Sequence, residues 1–326
     1  MNTIQSLFDT FTKKRVLIVG DVMIDSYIIG KVERMSPEAA VPVVDVTDFD
    51  QRLGGAGNVA MNVKAMGAEP ILCSVIGNDK EGAELQSIMS GLGMTCHGLI
   101  QSNKRMTTQK TRVLGNNQQL LRIDHEINTD LDSEDTASLE QRFSAELVHC
   151  DVVIFEDYNK GVLHVNNIEL LIQLCIDKGI PTIVDPKKSN FLAYKNATLF
   201  KPNLKEIKEG LQIEKELDSN ASVGNAIDQL MRVLHNQITL VTMSERGVFV
   251  QTQEDSHHVP AHRRTITDVS GAGDTVVCIA ALCLSAKTDV LTLAKLSNLA
   301  GGLVCEKIGV VPIDPKQLLA EALLAF

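Results

Sequence analysis

The sequence predicts an α/β protein: a doubly wound, mostly parallel sheet with a second, smaller β-sheet set apart from it. Two observations carry this. Short, nearly continuous apolar runs alternate with helical patterns along most of the chain, as strands covered by helices on both faces require. Two segments, 27–53 and 105–124, break that rhythm with paired extended patterns. A chain of 326 residues with 44% apolar content can bury a large core, and α/β folds of this length are commonly one unit, so a single domain over 1–326 is expected.

The elements follow in order. QSLFDTF (5–11) has the spacing of a short amphipathic helix. RVLIVGD (15–21), PILCSVIG (70–77), DVVIFED (151–157), PTIVDP (181–186), TLFKPN (198–203) and ITLVTMS (238–244) are the buried strands. Between them, AGNVAMNVKAMG (56–67), NNIELLIQLCIDKG (166–179) and GNAIDQLMRVLHN (224–236) read as helices, the first two closed by glycine. The extended runs VPVVDVTDF, TTQKTRVLG and NNQQLLRIDHE, with a turn at Gly115-Asn116-Asn117, predict a small sheet lying as a lid over one edge of the main one.

Composition narrows the function classes. A net charge of −10 argues against a nucleic-acid surface, which needs clustered Lys and Arg. No segment approaches the ~18 apolar residues of a membrane span, and the N-terminus lacks the basic start and cleavage site of a secretion signal. Seven scattered cysteines without C-x-x-C spacing fit reduced thiols in the cytoplasm. His257-His258 and His262 read as a solvated strand or loop rather than metal ligands.

In open parallel sheets, ligands bind beyond the carboxyl ends of the strands. The polar residues there are Asp21 with Asp25, Asp79, Glu156-Asp157, Asp185, Asn203 with Glu206, and Ser244. Such a row suits a polyhydroxylated ligand and a divalent cation, because hard cations take oxygen ligands. In ITDVSGAGDTVV (266–277), Gly271-Ala272-Gly273 precedes an apolar helix. The amides of 271–274 then form an anion site at the helix start, and Asp274 stands where a general base for a hydroxyl belongs. Spacing alone also allows a tight turn with Asp274 as a first-turn acid favoured by the dipole. Gly55-x-Gly57-x-x-Ala60 matches a dinucleotide fingerprint by letter but does not follow the first strand, and a Walker pattern is absent. This cluster is better read as close approach to a sugar, with Asn58 supplying an amide.

Together these stretches resemble the ribokinase-like carbohydrate kinases. GGAGNVAMN (54–62) is similar to their sugar-side signature and DVSGAGDTVVCIAA (268–281) to their catalytic one. Asn203-Leu-Lys-Glu206 resembles the N-x-x-E element tied to magnesium and phosphate, and VTMSERG (241–247) the nucleotide-side turn. Within the family, GDVMIDSY (20–27), MSPEAAVPVV (35–44), KTRVLGNNQQLLRID (110–124), EDYNKG (156–161) and DPKK (185–188) resemble the kinases of D-glycero-D-manno-heptose 7-phosphate. That implies transfer of the ATP γ-phosphate to the anomeric hydroxyl of this sugar, a precursor of lipopolysaccharide core. No H-x-G-H motif of a nucleotidyltransferase half is present, so a stand-alone kinase is expected.

The resemblance assigns Asp274 as base and Gly271, Ala272 and Gly273 as the anion hole. It places Asn203 and Glu206 at the magnesium–phosphate end of ATP, Ser244 and Gly247 along the nucleotide, and Asn298 near adenine. Asp25, Gly54, Gly55 and Asn58 would hold sugar hydroxyls. Lys110, Arg112, Arg122 and Lys160 are the candidates for the sugar phosphate, and Asp268 with carbonyls after Asn298 for a potassium ion. The ending CEKIGVVPID departs from the usual Thr- and Ser-rich tail, which bears on the potassium site and adenine pocket. Unpaired lid edges suggest a homodimer. The competing readings are the same chemistry on ribose, fructose or a hexose phosphate, a non-catalytic sugar sensor, and an NAD enzyme.

Overall fold

The computed structural model describes residues 4–116 and 118–325; Asn117 of the expected hairpin turn lies outside the described residues. In chain order the strands are β1 Arg15–Gly20, β2 Val22–Met35, β3 Pro42–Gly55, β4 Glu69–Gly77, β5 Leu99–Ser102, β6 Thr108–Gly115 and β7 Gln118–His125. They continue with β8 Val152–Glu156, β9 Thr182–Asp185, β10 Leu199–Phe200, β11 Ile238–Thr242, β12 Val248–Gln251 and β13 Ser256–Val259.

The large sheet runs β13-β12-β11-β10-β9-β8-β1-β4-β5. It is parallel from β5 through β11, and β12 and β13 add an antiparallel edge. Along β1 the side chains alternate between two cores: Val16 and Ile18 pack into one, Leu17 and Val19 into the other. A strand buried on both faces must be apolar at every position, which is why these runs show no polar alternation. The first core takes the helices Ala56–Ala65, Ala272–Ser285 and Val290–Val304; the second takes Ser133–Leu147, Val165–Lys178 and Asn220–Leu234. The last of these begins earlier than the expected 224, because the Ser219 side chain caps it by accepting from Ser222 N.

From β1 the chain crosses to β4 on one side, while β8 adds on the other. This reversal opens a crevice beyond the strand ends. Register aligns Gly20 with Glu156 and Glu156 with Asp185, so the acids expected at the strand ends do stand side by side.

The small sheet, in order β3-β2-β6-β7, is separate from the large one. It starts at Val22, earlier than the expected 27, so Asp25 belongs to it. β6 and β7 close their hairpin with Gly115 opposite Gln118. By register, Asp25, Tyr27, Arg52, Lys110, Arg112 and Arg122 share one face. The other face carries Phe49, Leu121 and Ile123, each more than half exposed. Beyond the elements expected from sequence stand β5, β12 and the helices Lys80–Gly91, Ser133–Leu147, Leu204–Gly210, Val290–Val304 and Pro315–Ala325. All seven cysteines are free thiols. Among the described residues no helix is long and apolar enough to cross a membrane.

Candidate active site

Gly271 caps the helix Ala272–Ser285 in a left-handed conformation, φ 78°. Only glycine takes this readily, and a Cβ here would lie 2.7 Å from Asn58 Nδ2. That close approach puts Asp274 in the first turn, 5% exposed, with both oxygens held. Asn58 Nδ2 donates to Oδ2 at 2.6 Å and the Tyr158 hydroxyl donates to Oδ1 at 2.9 Å. Burial pushes the Asp274 carboxyl above its usual range, with Asp185 adding to the shift; Asn58, Tyr158 and Lys187 oppose it. The Ala272 amide, expected in the anion hole, instead donates to the Val269 carbonyl at 3.3 Å, so the helix start offers the amides of Gly273 and Asp274. A buried carboxylate with a raised proton affinity beside them is suited to accept a proton where negative charge is gathering.

The facing wall carries the helix Leu204–Gly210. Asn203 and Glu206 form a reciprocal capping box: Asn203 Oδ1 accepts from Glu206 N at 2.9 Å, and Glu206 Oε2 from Asn203 N at 2.8 Å. Lys201 Nζ lies 3.0 Å from Asp185 Oδ2. Lys187 Nζ sits more loosely, 3.6 Å from Asp185 Oδ1 and 3.5 Å from Glu206 Oε1, and 4.8 Å from the Tyr158 ring centroid. Burial works against the Lys187 charge, but Asp185, Glu206, Glu156 and Asp274 outweigh it and hold the ammonium protonated. Burial likewise pushes Asp185 up, yet Lys187 and Lys201 bring it below the usual carboxylate range.

Behind them Glu156 is fully buried, and neither carboxylate oxygen has a hydrogen-bond partner. Burial pushes it well up, reinforced by Asp185 and Asp274. Glu156, Asp185 and Asp274 can each bring one oxygen within 4.8 Å of the others. An orphaned carboxylate in an all-oxygen set fits a hard divalent cation such as magnesium.

Of the residues predicted from sequence, Gly271, Gly273, Asp274, Asn203, Glu206 and Ser244 line one cleft of about 530 Å³. Ala272 lies in the same helical turn. Asn58 is buried behind the cleft, bound to Asp274 rather than presented to a ligand. Gly54 passes so close to Asp25 that a Cβ would meet its Oδ2 at 2.3 Å, and Gly55 caps the helix Ala56–Ala65. Asp25 is ion-paired to Arg112. Gly247 lies in the β11–β12 turn and Asn298 donates to the Pro260 carbonyl at 2.9 Å; neither lines the cleft. Asp268 accepts from Ser270 N and Gly309 N, both at 2.9 Å, and the Cys305 carbonyl beside it accepts from the amides of Thr267 and Asp268.

The four phosphate candidates are each paired with an acid. Lys110 and Lys160 share Glu126, Arg122 holds Asp124, and Arg112 holds Asp25. The sequence reading assigned no role to Tyr158, Lys187 or Lys201. Their signal lay in EDYNKG, DPKK and TLFKPN, where polar residues follow strand ends directly.

The description "pfkB family carbohydrate kinase" belongs to the family whose pattern matches residues 13–317. Bifunctional protein HldE from Desulfatibacillum aliphaticivorans is 39% identical over 312 residues, which cover 95% of this chain and 63% of that protein. HldE from Geotalea uraniireducens is 37% identical over 319 residues, 98% of this chain and 65% of that protein. The chain thus spans less than two thirds of the length of these relatives. In fold it is similar to Escherichia coli phosphofructokinase-2 in complex with fructose-6-phosphate, with TM-score 0.77, 19% identity, and coverage of 95% of this chain and 99% of the other. Arabidopsis thaliana ribokinase complexed with ribose and ATP gives TM-score 0.71 at 14% identity, covering 94% and 99%. The fold is ribokinase-like.

Proposed function

Because the chain belongs to the pfkB family of carbohydrate kinases, and is an ATP-dependent sugar kinase, we propose that its substrate is D-glycero-D-manno-heptose 7-phosphate, phosphorylated on the anomeric hydroxyl. The product would be the 1,7-bisphosphate, a lipopolysaccharide core precursor made in the cytoplasm. The observation that carries the chemistry is Asp274, buried at a helix start and held through both oxygens across a cleft from Asn203 and Glu206. The substrate assignment draws on the HldE relatives and on the cations Lys110, Arg112, Arg122 and Lys160 around an otherwise acidic chain's small sheet.

The sugar hydroxyl oxygen attacks the γ-phosphorus, its proton passes to Asp274, and the bond to the β-phosphate oxygen breaks to release ADP. First-turn amides of the helix Ala272–Ser285 face the charge on the transferred group. Lys187 lies between the two walls and meets the same charge. Of the three clustered carboxylates, Glu156 and Asp185 would hold a divalent cation, with Glu206 on the facing wall, while Asp274 serves as the base; such a cation would neutralise phosphate charge. Asp268 and the Cys305 carbonyl are the corresponding candidates for potassium. Asp25 and the backbone at Gly54 and Gly55 would orient the sugar. We read 1–326 as one kinase domain, with the exposed apolar face of Phe49, Leu121 and Ile123 pairing two lids in a dimer; a monomer in sedimentation at working concentration would count against that.

The test is ATP consumption with magnesium and potassium against heptose 7-phosphate, heptose, fructose 6-phosphate, fructose and ribose. Turnover confined to heptose 7-phosphate, with phosphate added at C1, supports the proposal; turnover of another sugar instead replaces the substrate. Asp274→Asn should lower kcat by about 10²–10⁴-fold, the range for a general base, while ATP still binds.

A further inference from the structure

We infer that Lys110 and Lys160 form one anion site closed by the carboxylate of Glu126, and that the phosphate of a phosphorylated sugar displaces this carboxylate on binding. The second half rests on the substrate reading above; the first does not.

The two lysines come from different parts of the fold, Lys110 from β6 and Lys160 from the loop after β8, yet they converge on one group. Lys110 Nζ lies 2.8 Å from Glu126 Oε2, and Lys160 Nζ lies 2.7 Å from Glu126 Oε1. All three side chains are largely withdrawn from water, at 10%, 14% and 18% exposure. Lys110 also stands 3.6 Å from Asp124 Oδ2, but Arg122 already engages both oxygens of Asp124, at 2.7 and 2.8 Å. Lys110, Lys160 and Arg122 therefore set three positive charges against the two carboxylates of Glu126 and Asp124. One cationic charge is left over in a partly desolvated place, where an uncompensated charge is costly. A phosphomonoester offers more oxygens and more charge than the carboxylate in its place, and can bridge both ammonium groups.

The frame around the site is stiff while the plug is not. Lys160 N donates to the buried Asp21 at 3.0 Å, and Arg105 binds the Lys160 carbonyl. Lys160 also donates to Asn128 Oδ1 at 2.8 Å. Tyr158 on the same loop reaches Asp274, and Lys110 pairs in register with Asp25, which lies against Gly54. The anion site thus borders the proposed sugar side. Glu126, in contrast, follows β7, a strand exposed at every described position. The hydrogen bonds of its carboxylate run to Lys110 and Lys160, the two groups that an incoming phosphate would take over.

The experiment measures inorganic phosphate binding by calorimetry with a magnesium–nucleotide analogue saturating the cleft, in wild type, Glu126→Gln and Glu126→Ala. With the internal competitor gone, phosphate should bind roughly three- to tenfold tighter, as for loss of one competing charge-assisted contact. The gain should vanish when Lys110→Gln or Lys160→Gln is added to Glu126→Gln. Unchanged or weaker phosphate binding in both Glu126 variants, or a gain that survives loss of both lysines, overturns the site. Glu126→Gln should also lower KM for heptose 7-phosphate and not for heptose. Tighter phosphate binding with no phosphorylated sugar turned over would overturn the displacement and the substrate reading together. Turnover of heptose 7-phosphate without any gain in phosphate binding would overturn the anion site and leave the substrate reading standing.

Discussion

Tyr158 donates its phenolic hydrogen to Asp274 across 116 positions of sequence, at 2.9 Å. The loop that delivers it is fixed from below by Asp21, whose carboxylate accepts from the amides of Tyr158, Lys160 and Val162 at 2.8, 3.0 and 3.1 Å. Burial, with Asp157 adding to it, pushes Asp21 up to about 6 against those three bonds. One buried acid therefore sets the backbone that orients the partner of another, and the active carboxylate inherits its position from the junction of β1 and β2.

Removing only that hydroxyl should be legible in the pH profile. In Tyr158→Phe the ring under Lys187 is kept, while Asp274 loses a donor that favours its charged form. Its pKa, already raised by burial, moves further up. A base works deprotonated, so the acid limb of kcat should shift to higher pH, with the loss largest in acid and shrinking toward alkaline pH. A hydrogen bond to a charged group contributes about 1.5–3 kcal/mol, so roughly ten- to hundredfold at the acid end is expected. A uniform loss at every pH would assign Tyr158 to packing alone.

Lys187 separates from Lys201 on geometry. Both line the cleft, but Lys201 is 3% exposed and committed to Asp185 at 3.0 Å, whereas Lys187 makes only contacts of 3.4 Å or longer. Lys187→Met should therefore reduce kcat by about 10²–10³-fold, as for loss of one preorganised donor to developing charge, with little change in ATP affinity. Lys187→Arg should recover part of it. A loss confined to KM for ATP would place Lys187 in ground-state binding instead.

Much of this arrangement could be read from residue order, and the reason is topological. In a parallel sheet the strand ends share one edge, so Glu156, Asp185, Asn203 and Ser244 had to gather once their apolar runs were recognised. Asp274 was legible because glycines crowd the helix start before it. Asn58 was placed on the sugar, since nothing local tells that its amide turns toward Asp274. Tyr158 and Lys187 stayed hidden for the same reason: their partners are distant in sequence and their types are common on surfaces. The short β5 and β12 carry too few residues for a period to register. The pairing of Lys110 with Lys160 through Glu126 is visible only when β6, β7 and the loop after β8 are brought together.

Gly271→Ala tests the close approach at the helix start. The substitution combines a left-handed backbone with a Cβ 2.7 Å from the Asn58 amide. The strain should cost about 1–3 kcal/mol of stability, read as a lower midpoint in urea. Displacement of Asn58 should also free one oxygen of Asp274, so kcat should fall more than stability alone explains at temperatures where the variant is fully folded. Full activity in the folded variant would show that Asn58 does not need to hold the base.

Glu156 makes a prediction about stability and pH. Its folded pKa is raised well above that of the unfolded chain, by burial first and then by Asp185 and Asp274. The folded state thus binds this proton more tightly, and the contribution is fully present below the unfolded pKa near 4.5. It is lost as pH rises toward the folded value, at about 1.4 kcal/mol per pH unit for one proton. Glu156→Gln removes that dependence. Without added metal, the variant's thermal midpoint should gain on wild type as pH increases through this window, and level off above it. Magnesium should reverse the order, because a divalent ion favours the ionised carboxylate that glutamine cannot supply. The midpoint of wild type should then rise with magnesium, more at alkaline than at acid pH, while that of Glu156→Gln moves less. Equal magnesium shifts in the two proteins at every pH would remove Glu156 from the set that holds the ion and leave Asp185 and Glu206 to do so.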